Sequence, residues 1–239
     1  YIWLLNNDSI VFPNTLSSLI DKMQKDLKIG MISPIIYDQS NEHLLFCGTT
    51  MNLGTLERKS LHTPEEYWDY QCKSHGCIGL WGTALLINRE MVEQVGVLDD
   101  RFFAYYEDTD YSIRAITHGW KNSIDTEAKV LHGTKEFRRR LHFSYYMTRN
   151  EYLLIAKHST PNNKSRNIRI CISKAIRKAA NSKSKGDVEL LITILSGLWD
   201  ELNNKFGEWK EQRKIPSILS NLSLCHPYFI SKILKFEIS

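Results

Sequence analysis

Three places in this 239-residue chain gather carboxylates or an imidazole where chemistry could be done. The first is Asn6-Asn7-Asp8, which follows the apolar run at residues 1–5. A short apolar run closed by turn-forming residues reads as a buried strand. Ligands of open α/β sheets bind at the carboxyl ends of strands, and a carboxylate there can hold a divalent cation that bridges a diphosphate. Asn and Asp also serve as plain turn residues or helix caps, so Asp8 alone leaves both roles open. The second place is Glu107, Asp108 and Asp110, preceded by Tyr105 and Tyr106. Acidic residues at a helix start satisfy free amides and the helix dipole. Three in four positions exceed what a cap needs, and one could act as a general base tuned by its acidic neighbours and aromatic cover. The third is His132, at the end of a strand-like run and just before Gly133; an imidazole there is either structural or a metal ligand. Cys72, His75 and Cys77 also cluster, but without the second ligand pair that a zinc site needs they read as ordinary core or loop residues.

The elements that must position these groups alternate in type. Leu16, Leu19, Ile20 and Met23 fall at helical spacing after Pro13, and Lys28–Gly30 should close that helix. The run MISPIIYD at 31–38 reads as a strand that Pro34 places at a sheet edge or on a bulge. Residues 39–75 are polar and irregular, with a strand-like piece around Leu44–Cys47. Residues 80–100 predict a strand and then a helix over Arg89–Val95 ended by Gly96. Residues 105–120 predict a helix that begins at the acidic cluster and ends at Gly119, and residues 121–132 predict two strands about a turn. Such alternation implies an α/β layered domain.

Beyond it, Ile168, Ile172, Ala175, Ile176 and Ala179 form one helical stripe, and Val188, Leu191, Leu195, Leu198 and Leu202 a second, across a linker at 181–186. The expected organisation is a domain over 1–135 and a basic, mostly helical region over 136–239.

Charge divides the same way. Residues 1–132 carry a net −7 and residues 133–239 a net +11, behind an overall +4. An acidic half suits a metal site; a basic half suits phosphate, an anionic membrane surface or nucleic acid. No nucleic-acid motif is recognisable, so a nucleic-acid partner is not expected, although a nucleic-acid-binding module remains the alternative from another class. No run of 18 apolar residues occurs, so no single segment is long enough to span a bilayer. Five scattered cysteines suit a reducing compartment. A cytoplasmic location is expected, with peripheral contact at the inner face of the cell membrane. The first residues already read as a strand and carry no initiator Met or signal sequence, so the chain is expected to be a fragment.

The ordered set LLNNDS, FPNTLSSLI, GTALLINREMVEQVGVLDDRFFAYYEDTDYSIRAITHGW, VLHGT and YYMTRN resembles family 2 glycosyltransferases of the rhamnosyltransferase-like branch over roughly residues 1–155. The resemblance implies a nucleotide-diphospho-sugar transferase-like mixed sheet with flanking helices, followed by a helical tail. It implies that Asn6, Asn7 and Asp8 face the donor, that Asp8 and His132 hold Mn²⁺ or Mg²⁺, and that Asp108 is the catalytic base with Glu107 beside it. Gly82, Thr83 and Ala84, with Trp81 and Asp110, would line the acceptor side, and Arg149, next to Asn150, could reach a phosphate. The implied partners are a nucleoside-diphosphate sugar and a saccharide or lipid-linked acceptor, with rhamnose on a deoxythymidine diphosphate as the first candidate donor and bacterial cell-surface polysaccharide as the context. On the same resemblance, a nucleotide-binding segment on the order of ninety residues would precede Tyr1, leaving a partial sheet with an unpaired edge. A non-catalytic remnant of the fold and a metal-dependent nucleotidyltransferase are the remaining alternatives.

Overall fold

The structure is a computed structural model that describes residues 1–73, 77–133 and 140–210. His75 and the expected boundary at 135/136 lie outside the described residues. The described chain groups into two units, one of residues 1–99 and 107–133, the other of residues 100–106 and 140–210.

In chain order the first unit contains β1 (Ile2–Leu5), β2 (Ser9–Val11), α1 (Thr15–Lys25), β3 (Ile29–Asp38), β4 (Leu44–Phe46), β5 (Thr49–Met51), β6 (Arg58–Ser60), α2 (Pro64–Lys73), β7 (Cys77–Gly79), β8 (Ala84–Ile87), α3 (Arg89–Val95), α4 (Glu107–Thr117) and β9 (Lys121–His132). Six strands make a mixed sheet in the order β1-β8-β3-β9-β2, with β4 also on β3, and β6-β5-β7 make a small second sheet. The β3–β9 pair is parallel and the other pairs of the large sheet are antiparallel. Alternation along β3 sends Met31 and Ile35 to a core shared with Leu85, Ile87, Met91 and Tyr111, and Ile32 to one shared with Leu86, Leu19 and Met23. Helix α1 therefore covers one face, and α3 and α4 the other. Full burial of Leu19 and Met23 contributes about 2 kcal/mol per side chain to holding α1 down.

One strand expectation is met through its second option, and one needs correction. Pro34 sits in the middle of the sheet, since β3 has β8 and β9 as neighbours. Of the two options open to it, it takes the bulge: the register against β9 shifts between Pro34 and Ile35, where a missing N–H costs no ladder bond. That same shift explains residues 121–132. They form one continuous strand, and the turn-like Asp125-Thr126-Glu127 is the bulged stretch between the pairs Pro34–Asp125 and Ile35–Lys129. The buried Asp125 carboxylate accepts from the Glu127 and Ala128 amides and from Ser18 and Lys22 of α1. Burial pushes this carboxyl up, but Lys22, Ser18 and the Glu127 amide outweigh it and hold the group below its ordinary value.

The polar stretch 39–75 also holds more order than its composition predicts: β5, β6 and α2 lie within it. The helix ends follow the punctuation in the sequence. Asn88 caps α3 by accepting from the Glu90 amide at 2.8 Å, and Gly96, at φ +83°, closes it. Helix α1 ends at Lys25, earlier than Lys28–Gly30, because Ile29 and Gly30 already belong to β3. Among the described residues both β1 and β2 are edge strands, with Ile2, Leu5 and Ile10 exposed.

The second unit is built from α5 (Arg140–His158), α6 (Pro161–Ser184) and α7 (Val188–Leu202). Ile172, Ala175, Ile176 and Ala179 of α6 pack on Leu191, Ile194, Leu195 and Leu198 of α7, as both stripes predict. Val188 and Leu202, at the ends of the second stripe, are exposed. Helix α6 runs on through the first four residues of the expected linker and stops at Ser184. Asp187 caps α7 by accepting from the Leu190 amide. At Gly197, an added Cβ would stand 2.8 Å from the Tyr145 carbonyl oxygen, so glycine there lets α7 approach the α5 backbone. Among the described residues no helix is long and apolar enough to cross a membrane.

Candidate active site

The strand pairing brings Asp8 and His132 together across 124 positions of sequence. Ser9 pairs with His132, Ile10 with Leu131 and Val11 with Val130, so Asp8 and Gly133 are the next residues past the paired rung. His132 Nε2 lies 3.2 Å from Asp8 Oδ1 and 3.2 Å from Asn6 Nδ2. With Nε2 unprotonated, its single lone pair can accept from Asn6 or, when that contact is given up, point with the Asp8 carboxylate to one place, a donor set for a hard cation. Gly133 keeps that place open. A Cβ there would come within 3.3 Å of Asp8 Oδ2 and 3.1 Å of Gln39 Nε2. Among the described residues no three His, Cys, Asp or Glu side chains form a metal cage. Two protein ligands are nonetheless the usual complement for Mg²⁺, which takes its remaining ligands from phosphate and water. The residues present therefore fit a cation completed by a diphosphate.

Asn6-Asn7-Asp8 connects β1, which pairs with β8, to β2, which pairs with β9. The connector thus crosses the end of the sheet. The Asn6 amide donates to the Thr83 carbonyl at 2.9 Å, just ahead of β8, while its side chain reaches His132. Asn7 is exposed. The next residue back, Gly82, donates its amide to Asp108 Oδ2 at 3.0 Å. Asp108, Gly82, Thr83, Asn6, His132 and Asp8 consequently form one continuous line of contacts within the first unit. Spacing in the sequence does not show this line, and it missed Gln39, which follows the Asp38–His132 rung and has no local signature.

Asp108 stands in the first turn of α4, its second oxygen accepting from the Thr109 amide at 2.6 Å. Burial raises its pKa, with the Gly82 and Thr109 amides opposing. Glu107 is pushed up to about 7, by burial first and by the Asp108 charge second, and its Oε2 is buried with no hydrogen-bond partner among the described residues. Two partly buried adjacent carboxyls cannot both ionise cheaply, so the pair keeps one proton up to neutral pH. Trp81 stacks on Phe46 with ring centroids 4.6 Å apart and leaves 38% of its surface open. Thr83 is buried and offers its carbonyl to Asn6.

Two expected contacts do not fit their surroundings. Asp110 is fully buried, and its carboxylate meets Arg114 Nε at 2.9 Å. Arg114 in turn donates to the Val95 and Val97 carbonyls. Asp110 therefore ties α4 to the end of α3 and presents nothing to an acceptor. Arg149 likewise has no exposed surface. Its guanidinium donates to the carbonyls of Arg101, Phe102 and Gly207 and to Asn150 Oδ1, leaving no fork for a phosphate. Asn150 donates to the carbonyls of Phe102, Ala104 and Tyr105. Together the two side chains clamp a segment in which Phe103, Tyr105 and Tyr106 hold φ of +60°, +63° and +72°, values that L residues adopt only when their surroundings impose them. The pair is a scaffold for the loop that runs into Glu107.

The sequence profile of the family described as "Glycosyl transferase family group 2" matches residues 1–132. An N-acetylglucosaminyl-diphospho-decaprenol L-rhamnosyltransferase, matched in two strains of Mycobacterium tuberculosis, is 26% identical over 145 residues, covering 55% of this chain and 46% of that protein. The chain thus spans about half the length of the curated relatives it matches.

Proposed function

The chain belongs to glycosyl transferase family group 2, and from that membership we propose that it transfers a sugar, with inversion, from a nucleoside-diphosphate donor to a hydroxyl of a saccharide or lipid-linked acceptor. The observation that carries the reading is the line of contacts from Asp108 through Gly82, Thr83 and Asn6 to His132 and Asp8. It sets a carboxylate suited to proton abstraction and a donor set suited to a cation–diphosphate on one rim.

In this mechanism the acceptor oxygen attacks the anomeric carbon as Asp108 takes its proton. The bond from that carbon to the diphosphate oxygen breaks on the opposite face, and the nucleoside diphosphate departs with the electron pair. One displacement inverts the anomeric centre. The Gly82 amide aims Asp108. Glu107, holding the proton of the pair, leaves Asp108 ionised in a poorly solvated place, where it is a stronger base than a carboxylate in water. The exposed face of Trp81 supplies a flat apolar platform for the acceptor ring. Asp8 and His132 would hold Mn²⁺ or Mg²⁺, which supplies positive charge against the leaving diphosphate.

The relatives' name combines rhamnosyl transfer with a lipid-diphosphate acceptor, which supports testing that pairing first. The experiment is a nucleotide-sugar screen on the whole protein with Mn²⁺ or Mg²⁺, reading release of nucleoside diphosphate against pooled saccharide and lipid-linked acceptors. One donor should turn over, chelator should stop it, and Asp108→Asn should lower kcat by about two to four orders of magnitude. Turnover undiminished in Asp108→Asn would remove the base assigned here, and consumption of no donor under either metal would remove the transferase reading.

A further inference from the structure

Three buried or charged features of the described residues stand outside the site above: the Glu201 carboxyl of α7, whose Oε2 has no hydrogen-bond partner among those residues, the Arg149–Asn150 clamp, and a basic cavity on the helical unit. The last carries furthest. Lys174, Arg177 and Lys178 lie three and four apart along one flank of α6, and Lys185, its C-cap, follows seven residues after Lys178. With Arg140 from the start of α5 and Asp187 from the start of α7 they line a cavity of about 480 Å³. Asp187 is the only carboxylate in that lining, and it is already committed: it pairs with Arg140 and caps α7. Lys174, Arg177 and Lys185 have no anionic partner among the described residues, and Lys178 has only the attraction of Glu151. Burial holds the Lys178 amine below its ordinary value in spite of that attraction.

A solvated helix face commonly interleaves such cations with acids at i±4, and Lys174, Arg177 and Lys178 have none there. Compensation of the α6 dipole explains a cation at the helix end, such as the C-cap Lys185, but not Lys174, Arg177 and Lys178 one to three turns earlier. Four like charges converging on a concavity repel one another, and an anion that several of them contact at once relieves that repulsion. The volume exceeds that of a lone monophosphate and falls within the range of small-molecule sites.

We propose that this cavity is a binding site for a phosphate-bearing anion with at least two negative charges, such as a diphosphate or the phosphomonoester headgroup of a lipid. The site is separate from the Asp8–His132 rim in sequence and lies wholly within the helical unit. It does not depend on the transferase reading, and its test reads binding alone.

The probes are inorganic pyrophosphate, followed by calorimetry with the whole protein, and phosphatidylcholine vesicles with or without phosphatidic acid, followed by flotation. The cavity variant is Lys174→Gln/Arg177→Gln/Lys178→Gln. The control, Lys164→Gln/Arg166→Gln/Arg169→Gln, removes the same charge from the same helix outside the cavity. All six positions are exposed, and circular dichroism checks that both variants fold. The expected result is binding of at least one probe that weakens about tenfold or more in the cavity variant and less than about threefold in the control. Pyrophosphate binding that competes with vesicles assigns the source as the phosphate group itself. Vesicle binding that needs phosphatidic acid and resists pyrophosphate assigns a lipid headgroup. Equal loss in both variants would reduce the feature to diffuse surface charge and overturn the proposal, as would binding of neither probe.

Discussion

Replacing Glu107 by Gln should stabilise the protein, and only above mildly acidic pH. The folded state raises this carboxyl from its ordinary 4.5 to about 7, so the native protein binds a proton that the unfolded chain releases. Such a group contributes fully below pH 4.5, and its contribution is lost as pH rises through about 7. The two values are about 2.5 pH units apart, and each is worth about 1.4 kcal/mol, which puts the loss at about 3 kcal/mol by pH 8. Because Glu107 is partly open to water, screening brings the expectation nearer 2 kcal/mol. Gln copies the protonated shape and never ionises. Urea unfolding of both proteins at pH 4.5 and pH 8 should show nearly equal stability at the lower pH and a Gln variant about 2–3 kcal/mol more stable at the higher. Glu201, also pushed up to about 7 by burial, gives both proteins the same background trend and cancels in the difference. A difference that stays flat with pH, or a wild type that is the more stable at pH 8, would refute the argument that burial and the Asp108 charge keep a proton on this pair.

Two further substitutions test the scaffold. Asn150→Ala strands the carbonyls of Phe102, Ala104 and Tyr105 and should cost about 2–4 kcal/mol in urea unfolding, with faster amide exchange over 101–106. Gly197→Ala gains about 1 kcal/mol of helix propensity but drives a Cβ to 2.8 Å from the Tyr145 carbonyl. Overpacking against backbone costs about 1–3 kcal/mol, so its Tm should fall.

The periodic elements were legible because local patterns alone set them. Helix α3 ends at Gly96 and α4 is followed by Gly119, each with positive φ, and the apolar stripes of α6 and α7 face each other as their spacing requires. What the sequence concealed depends on distant partners. Nothing near Arg149 announces that its guanidinium is saturated by carbonyls 47 to 58 positions away, so it reads as a free phosphate ligand. Asp110 reads as an acceptor-side carboxylate because its burial, with Arg114 bonded to the end of α3, comes from packing. Residues 121–132 read as two strands because Asp125 and Glu127 are turn formers, and only pairing with the bulged β3 shows why one strand tolerates them.

The candidate site itself shows how little chain is needed to set a long-range pair. Strand β2 has three residues, and shifting its register on β9 by one would turn every side chain to the other face and carry Asp8 away from His132. Two features resist that slip. Val11 stands opposite the fully buried Val130, so a slip would trade a packed pair for the exposed Ile10. Four residues on, the Thr15 hydroxyl donates to the Lys129 carbonyl at 2.8 Å, which fixes the entry of α1 to the same strand. At the other end, Asn6 is held by Thr83. The three-residue connector is therefore pinned on both sides to strands that α1, α3 and α4 hold in place. Asp8 and Asp108 owe their shared rim to that pinning, with the Gly82 and Asn6 amides and the Asn6 side chain supplying the hydrogen bonds along it.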